Sequence, residues 1–180
     1  NQCQGCHISR EKGRKKIIPL GAKFGLLNKI VLSKYSKMNQ LDYWKQRDLL
    51  RETPLPDGPK IPSYEDTSID IQTRAKAYLD INCSHCHSPQ GPGNTSGLFL
   101  EFERSVSRQT GVCKPPVAAG NGGDAPYDIT PGNPSQSLLY QRMSSTDPSE
   151  MMPELGRSLN DQKGLELIFR WISQMEGVCL

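Results

Sequence analysis

Residues 78–87 read YLDINCSHCH, in which two residues separate Cys83 from Cys86 and His87 follows directly. The same spacing, Cys-x-x-Cys-His, occurs near the N-terminus in QCQGCH at residues 2–7. The chain of 180 residues has six cysteines and three histidines, and the two motifs use four and two of them. In a chain so poor in both residue types, the repeat indicates one chemical role used twice.

The spacing of the motif has a known chemical use. Two cysteines placed in this way add through their thiols to the two vinyl groups of a haem, and the adjoining histidine becomes an axial ligand of the iron. The sequence therefore predicts two covalently bound haem c groups. The attachment residues are Cys3, Cys6, Cys83 and Cys86, and the proximal iron ligands are His7 and His87.

Two other uses of paired cysteines are weaker alternatives. Zinc ribbons separate their two cysteine pairs by about 15 to 20 residues, whereas Cys6 and Cys83 lie 77 positions apart. A redox-active dithiol would be expected within alternating strands and helices, and no such pattern surrounds either motif.

An amphipathic helix is predicted to lead into the second motif. Thr67 and Asp70 have capping-box spacing, which indicates a helix start. The helix would cover residues 69–82, because apolar side chains recur on one face at Ile71, Ala75, Tyr78 and Leu79.

A second helix is predicted near the C-terminus. Ser158 and Asp161 repeat the capping-box spacing, and Gly177 is placed to end the helix, which would cover residues 159–176. Its apolar stripe consists of Leu165, Ile168, Phe169 and Ile172.

The two predicted helices, the second Cys-x-x-Cys-His motif and the EMMPELG segment at residues 150–156 together resemble the class I cytochrome c fold. The resemblance covers about 110 residues from position 69 onward. It implies that the sulfur of Met152 is the sixth ligand of the second haem, opposite His87. Met151 is the immediate rival, and Met143 is interpreted as a helical core residue.

The whole chain also resembles the dihaem C-terminal region of a little-characterised family of secreted bacterial proteins. The resembling stretches are IPLG at 18–21, NQL at 39–41, YLDINC at 78–83 and TGVC at 110–113. The resemblance implies export, to the periplasm or the cell exterior, and electron transfer.

The expected fold is mainly α, with two small cytochrome c-like haem lobes and long irregular loops. Residues 1–52 would form the first lobe, closed by a helix with Asn39 as N-cap. A Pro-rich linker would cover residues 53–66, and residues 67–180 would form the second haem domain.

The sixth ligand of the first haem is harder to assign. No histidine follows His7 in the first lobe, so Met38 is the first candidate, in a position that corresponds to that of Met152. His85 is the alternative donor, because it lies inside the second motif without being needed by it. Both residues also have ordinary interpretations, as an apolar side chain and an exposed imidazole.

Cys113 and Cys179 are the two cysteines outside the motifs. In an exported protein they are expected to form a disulfide that ties the long central loop to the C-terminal end. Two free thiols and an intermolecular bridge are the alternatives.

The charge and hydropathy exclude some classes of function. A net charge of +3 is too small to indicate nucleic-acid binding, and no stretch is apolar enough to span a bilayer. Residues 10–16 form a basic run, interpreted as a solvated loop or as a docking surface for an acidic redox partner. Because Asn1 lies only two residues before Cys3, we expect a processed chain or the C-terminal part of a longer one.

Three functions remain after these observations. The first is an electron carrier or relay between redox protein partners, since no constellation of catalytic acid, base or nucleophile is found. The second is an enzyme of the peroxidase type or a small-molecule sensor, in which the first haem has an open site. The third is a subunit of a polymeric assembly that conducts electrons through its haems.

Overall fold

The computed structural model describes residues 6–21, 23–32, 37–50, 58–117 and 125–180. The chain divides into two compact units, the first formed by Asn1–Ile18 with Tyr64–Leu180 and the second by Pro19–Ser63. Both Cys-x-x-Cys-His motifs therefore belong to the first unit. This division differs from the predicted boundaries at residues 52 and 66. Those boundaries refer to haem lobes and remain a prediction.

A β-hairpin follows the first motif directly. Strand β1 (Ile8–Glu11) pairs antiparallel with β2 (Arg14–Ile17). The connecting residues Lys12 and Gly13 have φ values of 47° and 76°. Positive φ at both positions of a two-residue loop matches the twist of the flanking strands, so the turn favours a tight hairpin.

The second unit contains short elements held together by buried amides. Helix α1 (Phe24–Leu27) is followed by strands β3 (Ile30–Leu32) and β4 (Lys37–Asn39), which pair antiparallel, and by helix α2 (Gln40–Lys45).

Asn28 and Asn39 connect these elements. The side-chain amide of Asn28 donates to the carbonyl of Gly58 at 3.0 Å, and its oxygen accepts from Asn39 at 2.8 Å. The Asn39 oxygen accepts from the N–H of Leu41, which confirms Asn39 as the N-cap. Leu49 lies beyond the helix end and is exposed.

The rest of the first unit is built on two long helices, α3 (Ile71–Asn82) and α5 (Gln162–Ser173), with the shorter α4 (Leu138–Ser144) between them in sequence. A Cβ atom at Gly164 of α5 would lie 2.2 Å from the Tyr78 ring of α3. The close approach of α3 to α5 therefore requires glycine at this position. The core around it includes Ala75, Leu79, Leu100, Ile129, Met143, Ile168, Trp171 and Ile172.

The prediction of a mainly α fold made of two cytochrome c-like lobes is wrong. Helix accounts for 34% and strand for 11% of the structure, counted over the residues that it describes. The described part of residues 1–52 contains two antiparallel strand pairs, because short runs such as IVL at 30–32 find partners there. Between α3 and α4 the chain is rich in Gly and Pro, and its described part contains 3-10 turns at Asn94–Ser96, Arg108–Thr110 and Pro134–Gln136.

Two further predictions, the disulfide and the absence of a membrane-spanning segment, can be compared with the structure. Cys113 and Cys179 form a disulfide with their Cα atoms 5.2 Å apart, as expected from the cysteine count. None of the helices in the described ranges has the length and apolar character needed to cross a membrane.

Candidate haem-attachment site

The second motif continues α3 by one turn. The N–H of Cys83 donates to Leu79 at 2.9 Å, and the N–H groups of Cys86 and His87 both donate to the carbonyl of Cys83. His87 therefore lies one helical turn after Cys83 and on the same face. The helix thus determines the relative position of the two thiols and the imidazole.

A glycine-rich loop closes over the turn. The N–H of Gly93 donates to the carbonyl of Cys86 at 3.0 Å, and that of Leu100 donates to His87 at 2.9 Å. A Cβ atom at Gly91 would lie 2.2 Å from the same Cys86 oxygen, so only glycine fits there. Sequence analysis did not identify Gly91 and Gly93, although QGPGN at residues 90–94 was a visible signal of close backbone approach.

The loop also determines which nitrogen of His87 carries the proton. Nδ1 of His87 lies 3.4 Å from Oγ of Ser96. That hydroxyl gives its only proton to the carbonyl of Gly93, at 2.7 Å, so it acts as an acceptor toward His87. With Nδ1 as the donor to Ser96, the lone pair of Nε2 is left for a metal; the backbone of Leu98 is a second hydrogen-bond partner of the ring. Burial lowers the pKa of His87, which favours the neutral ring that binds iron.

The cysteines of the second motif are neutral thiols. Burial raises the pKa of Cys83 to about 12 and that of Cys86 to about 11. Dithiol exchange uses the thiolate, which this environment disfavours in the free cysteines. A thioether to haem is uncharged, so these buried positions fit covalent haem attachment.

The first motif lies against the second. The N–H of Arg10 donates to the carbonyl of Gln90 at 3.0 Å, and Cys6 lies near enough to Cys86 to contribute, after burial, to the raised pKa of the Cys86 thiol. Cys3 lies outside the described residues.

His7 resembles His87 in how its ring is held. Its Nδ1 lies 2.9 Å from the carbonyl oxygen of Ile18, and Ile18 returns a hydrogen bond from its N–H to the carbonyl of His7 at 2.8 Å. A carbonyl oxygen only accepts, so Nδ1 of His7 is the donor and Nε2 keeps its lone pair. Sequence analysis missed Ile18 and Ser96, because neither acceptor is adjacent in sequence to the histidine that it orients.

The segment with the predicted Met152 ligand lies near the second motif. The negative charge of Glu154 contributes to raising the pKa of Cys86 and acts in the same direction on His87. The Met152 side chain is half-buried, while that of Met151 is buried at 8% exposure. Met152 as the ligand and Met151 as a buried apolar residue both stay predictions.

The ligand segment is held by an arginine that sequence analysis did not select. Arg157 donates to the carbonyls of Arg142 and Ser145, at 3.2 and 2.6 Å, and to the side chain of Asn160. The same Arg142 carbonyl accepts from the N–H of Met152 at 2.9 Å. One carbonyl at the end of α4 thus accepts hydrogen bonds from both the Met152 backbone and the arginine.

The structure also describes the other residues that were considered as iron ligands. Met38 is half-buried on β4 in the second unit, opposite Val31. His85 is half-buried inside the second motif and has an interaction partner in the structure. Met143 is buried in the core, as expected. Among the described ranges, no group of three or more His, Cys, Asp or Glu side chains is arranged to hold a metal ion by itself.

Comparison of the chain with protein-family models, with curated proteins and with solved structures gave no significant match.

Proposed function

We propose that the chain is a dihaem c-type electron-transfer protein that relays electrons between redox protein partners and is not an enzyme. The observation that carries the proposal is that the described part of the first motif lies beside the second: the N–H of Arg10 donates to the carbonyl of Gln90 at 3.0 Å, and Cys6 is near enough to contribute to the raised pKa of Cys86. Groups attached to neighbouring thiols are neighbours themselves, and this arrangement suits electron exchange between them. When bound, each haem iron would supply the one-electron redox change.

The protein residues have defined tasks in this proposal. Cys3, Cys6, Cys83 and Cys86 would hold the two haems, and His7 and His87 would bind iron through Nε2. Met152 is the proposed sixth ligand at the second haem. Met38, or His85 in its place, is the proposed sixth ligand at the first. The Ser96 hydroxyl and the Ile18 carbonyl orient the two imidazoles by accepting from Nδ1.

We place the protein in the periplasm or outside the cell. Haem c attachment and the Cys113–Cys179 disulfide both suit an oxidising compartment with export. The redox partners would then be other exported proteins or membrane-bound proteins that face this compartment.

Mass spectrometry of the denatured protein tests the proposal. The polypeptide is expected to carry two haem masses. The double variant Cys83→Ala/Cys86→Ala should carry one, because only the first motif remains. The matched control Cys113→Ala/Cys179→Ala also removes two cysteines and should keep both haems. A wild-type chain without haem, or with zinc in its place, would refute the proposal.

The relay itself needs a second measurement. In the oxidised protein, electron paramagnetic resonance should show magnetic interaction between the two irons, because the first motif lies beside the second through the Arg10–Gln90 hydrogen bond. Two spectra that simply add as those of isolated haems would contradict the relay.

A further inference from the structure

The β1–β2 hairpin concentrates the positive charge of the whole chain. Its cations are Arg10, Lys12, Arg14, Lys15 and Lys16, and its one acid is Glu11. The hairpin therefore carries +4 while the chain carries +3, so the rest of the chain has a net charge of −1. We propose that this hairpin is the docking surface for an acidic redox protein.

The strand register places like charges opposite each other. Arg10 pairs with Lys15 across the two strands, and like charges in this position destabilise a hairpin. Residues 10–17 are all exposed, and no described carboxylate forms an ion pair with any of the five cations. The carboxylates of a partner would remove this repulsion, which gives the complex a source of free energy absent from the isolated chain.

An exposed apolar side chain accompanies this charge. Ile17 is 74% exposed and lies two residues from Lys15, on the same face of β2 because side chains alternate along a strand. An apolar contact surrounded by Arg and Lys is typical of protein interfaces. This combination favours a folded acidic protein over a free polyanion.

The hairpin is fixed to the proposed electron-transfer site. Its two strands directly follow His7 and directly precede Ile18, which are hydrogen-bonded to each other. The N–H of Arg10 donates a hydrogen bond to the carbonyl of Gln90, near the second motif. A partner on the hairpin would therefore lie next to the proposed axial ligand of the first haem. The partner's redox role rests on the proposed function, whereas the docking itself depends only on the charges.

Charge reversal on the haem-loaded protein tests the docking surface. The probe is a flavodoxin of net negative charge, used as its hydroquinone to reduce the oxidised protein in stopped flow. Arg10→Glu/Lys15→Glu should lower the second-order rate by about tenfold or more at low ionic strength. The difference from wild type should vanish at about 0.5 M salt, because the charges are screened.

The control variant changes the net charge by the same amount, but at two residues outside the hairpin. Lys29→Glu/Lys60→Glu alters two exposed lysines of the second unit, and its rate should fall by no more than about threefold through the overall field. Carbodiimide cross-linking should join hairpin lysines to flavodoxin carboxylates in both the haem-loaded and the haem-free chain.

Several outcomes decide the proposal. Equal rate losses in both variants would overturn it, since net charge alone would then be the cause. Hairpin-dependent binding to phosphatidylglycerol vesicles, without an effect on flavodoxin, would overturn it in favour of a lipid surface. Hairpin cross-links to flavodoxin in a protein that takes up no electrons would support the docking surface and refute the proposed relay.

Discussion

At the scale of single residues, Met151 and Met152 allow a direct test of the second haem's sixth ligand. Met152→Ala should abolish the weak iron–thioether band of the oxidised protein and lower one of its two reduction potentials, because a soft neutral sulfur that favours reduced iron is lost. Spectroscopy and potentiometry of the haem-loaded protein measure both effects.

The neighbouring methionine is the matched control. Met151 is buried at 8% exposure, so Met151→Ala should cost about 2 to 5 kcal/mol of stability and leave the band in place. If the band instead survives Met152→Ala and disappears with Met151→Ala, the two assignments are reversed. Met38→Ala applies the same measurement to the first haem.

The close placement of Cys83, Cys86 and His87 was predictable from sequence, because the Cys-x-x-Cys-His spacing keeps the three residues within about one helical turn; their use for haem attachment stays a prediction. The groups that orient the imidazoles were not predictable. Ser96 and the carbonyl of Ile18 reach His87 and His7 through loop and hairpin geometry, which no local spacing reveals.

At the scale of elements, Arg157 connects the ligand segment to the end of α4. Its guanidinium donates to two carbonyls at the helix end, where the acceptors lack helical partners. Arg157→Gln should destabilise the Met152 segment by about 1 to 3 kcal/mol, because charged hydrogen bonds are lost. The thermal loss of the iron–thioether band should then precede global unfolding followed by circular dichroism.

Arg170→Gln provides the comparison for this prediction. Arg170 is exposed on α5, and its nearest carboxylate, that of Glu166, is 3.9 Å away, so the substitution should change stability by no more than about 0.5 kcal/mol. If band loss and unfolding shift together in Arg157→Gln, the arginine supports the fold in general and not the ligand segment.

Both long helices were predicted, but each begins later than the capping-box spacing indicated. Asp70 and Asp161 were expected at the third helical position, yet each is the N-cap and accepts from the N–H three residues on. An aspartate serves either role, and only the backbone conformation decides between them. The β1–β2 hairpin was not predicted, because its turn, Lys12-Gly13, is a less recognisable hairpin signal than Asn-Gly.

At the scale of the whole molecule, the disulfide closes a separation of 66 residues. Cys113→Ala/Cys179→Ala should lower the free energy of unfolding by up to about 4 kcal/mol, mainly because the unfolded chain regains the freedom of an open loop. Urea unfolding of the haem-loaded protein measures the loss. Unchanged stability, together with alkylatable thiols at both positions in the wild type, would contradict the pairing.

The first unit is made of two segments that are far apart in the chain, and this sets an order of events during synthesis. A chain emerges from its N-terminus, so the strands of β1 and β2 are available long before Gln90, which accepts the hydrogen bond from Arg10. A two-stranded hairpin is only marginally stable alone. Residues 6–18 must therefore wait, loosely structured, while Pro19–Ser63 and the start of the second segment are made. The first attachment motif in the chain therefore acquires its described surroundings only after the second motif has been made.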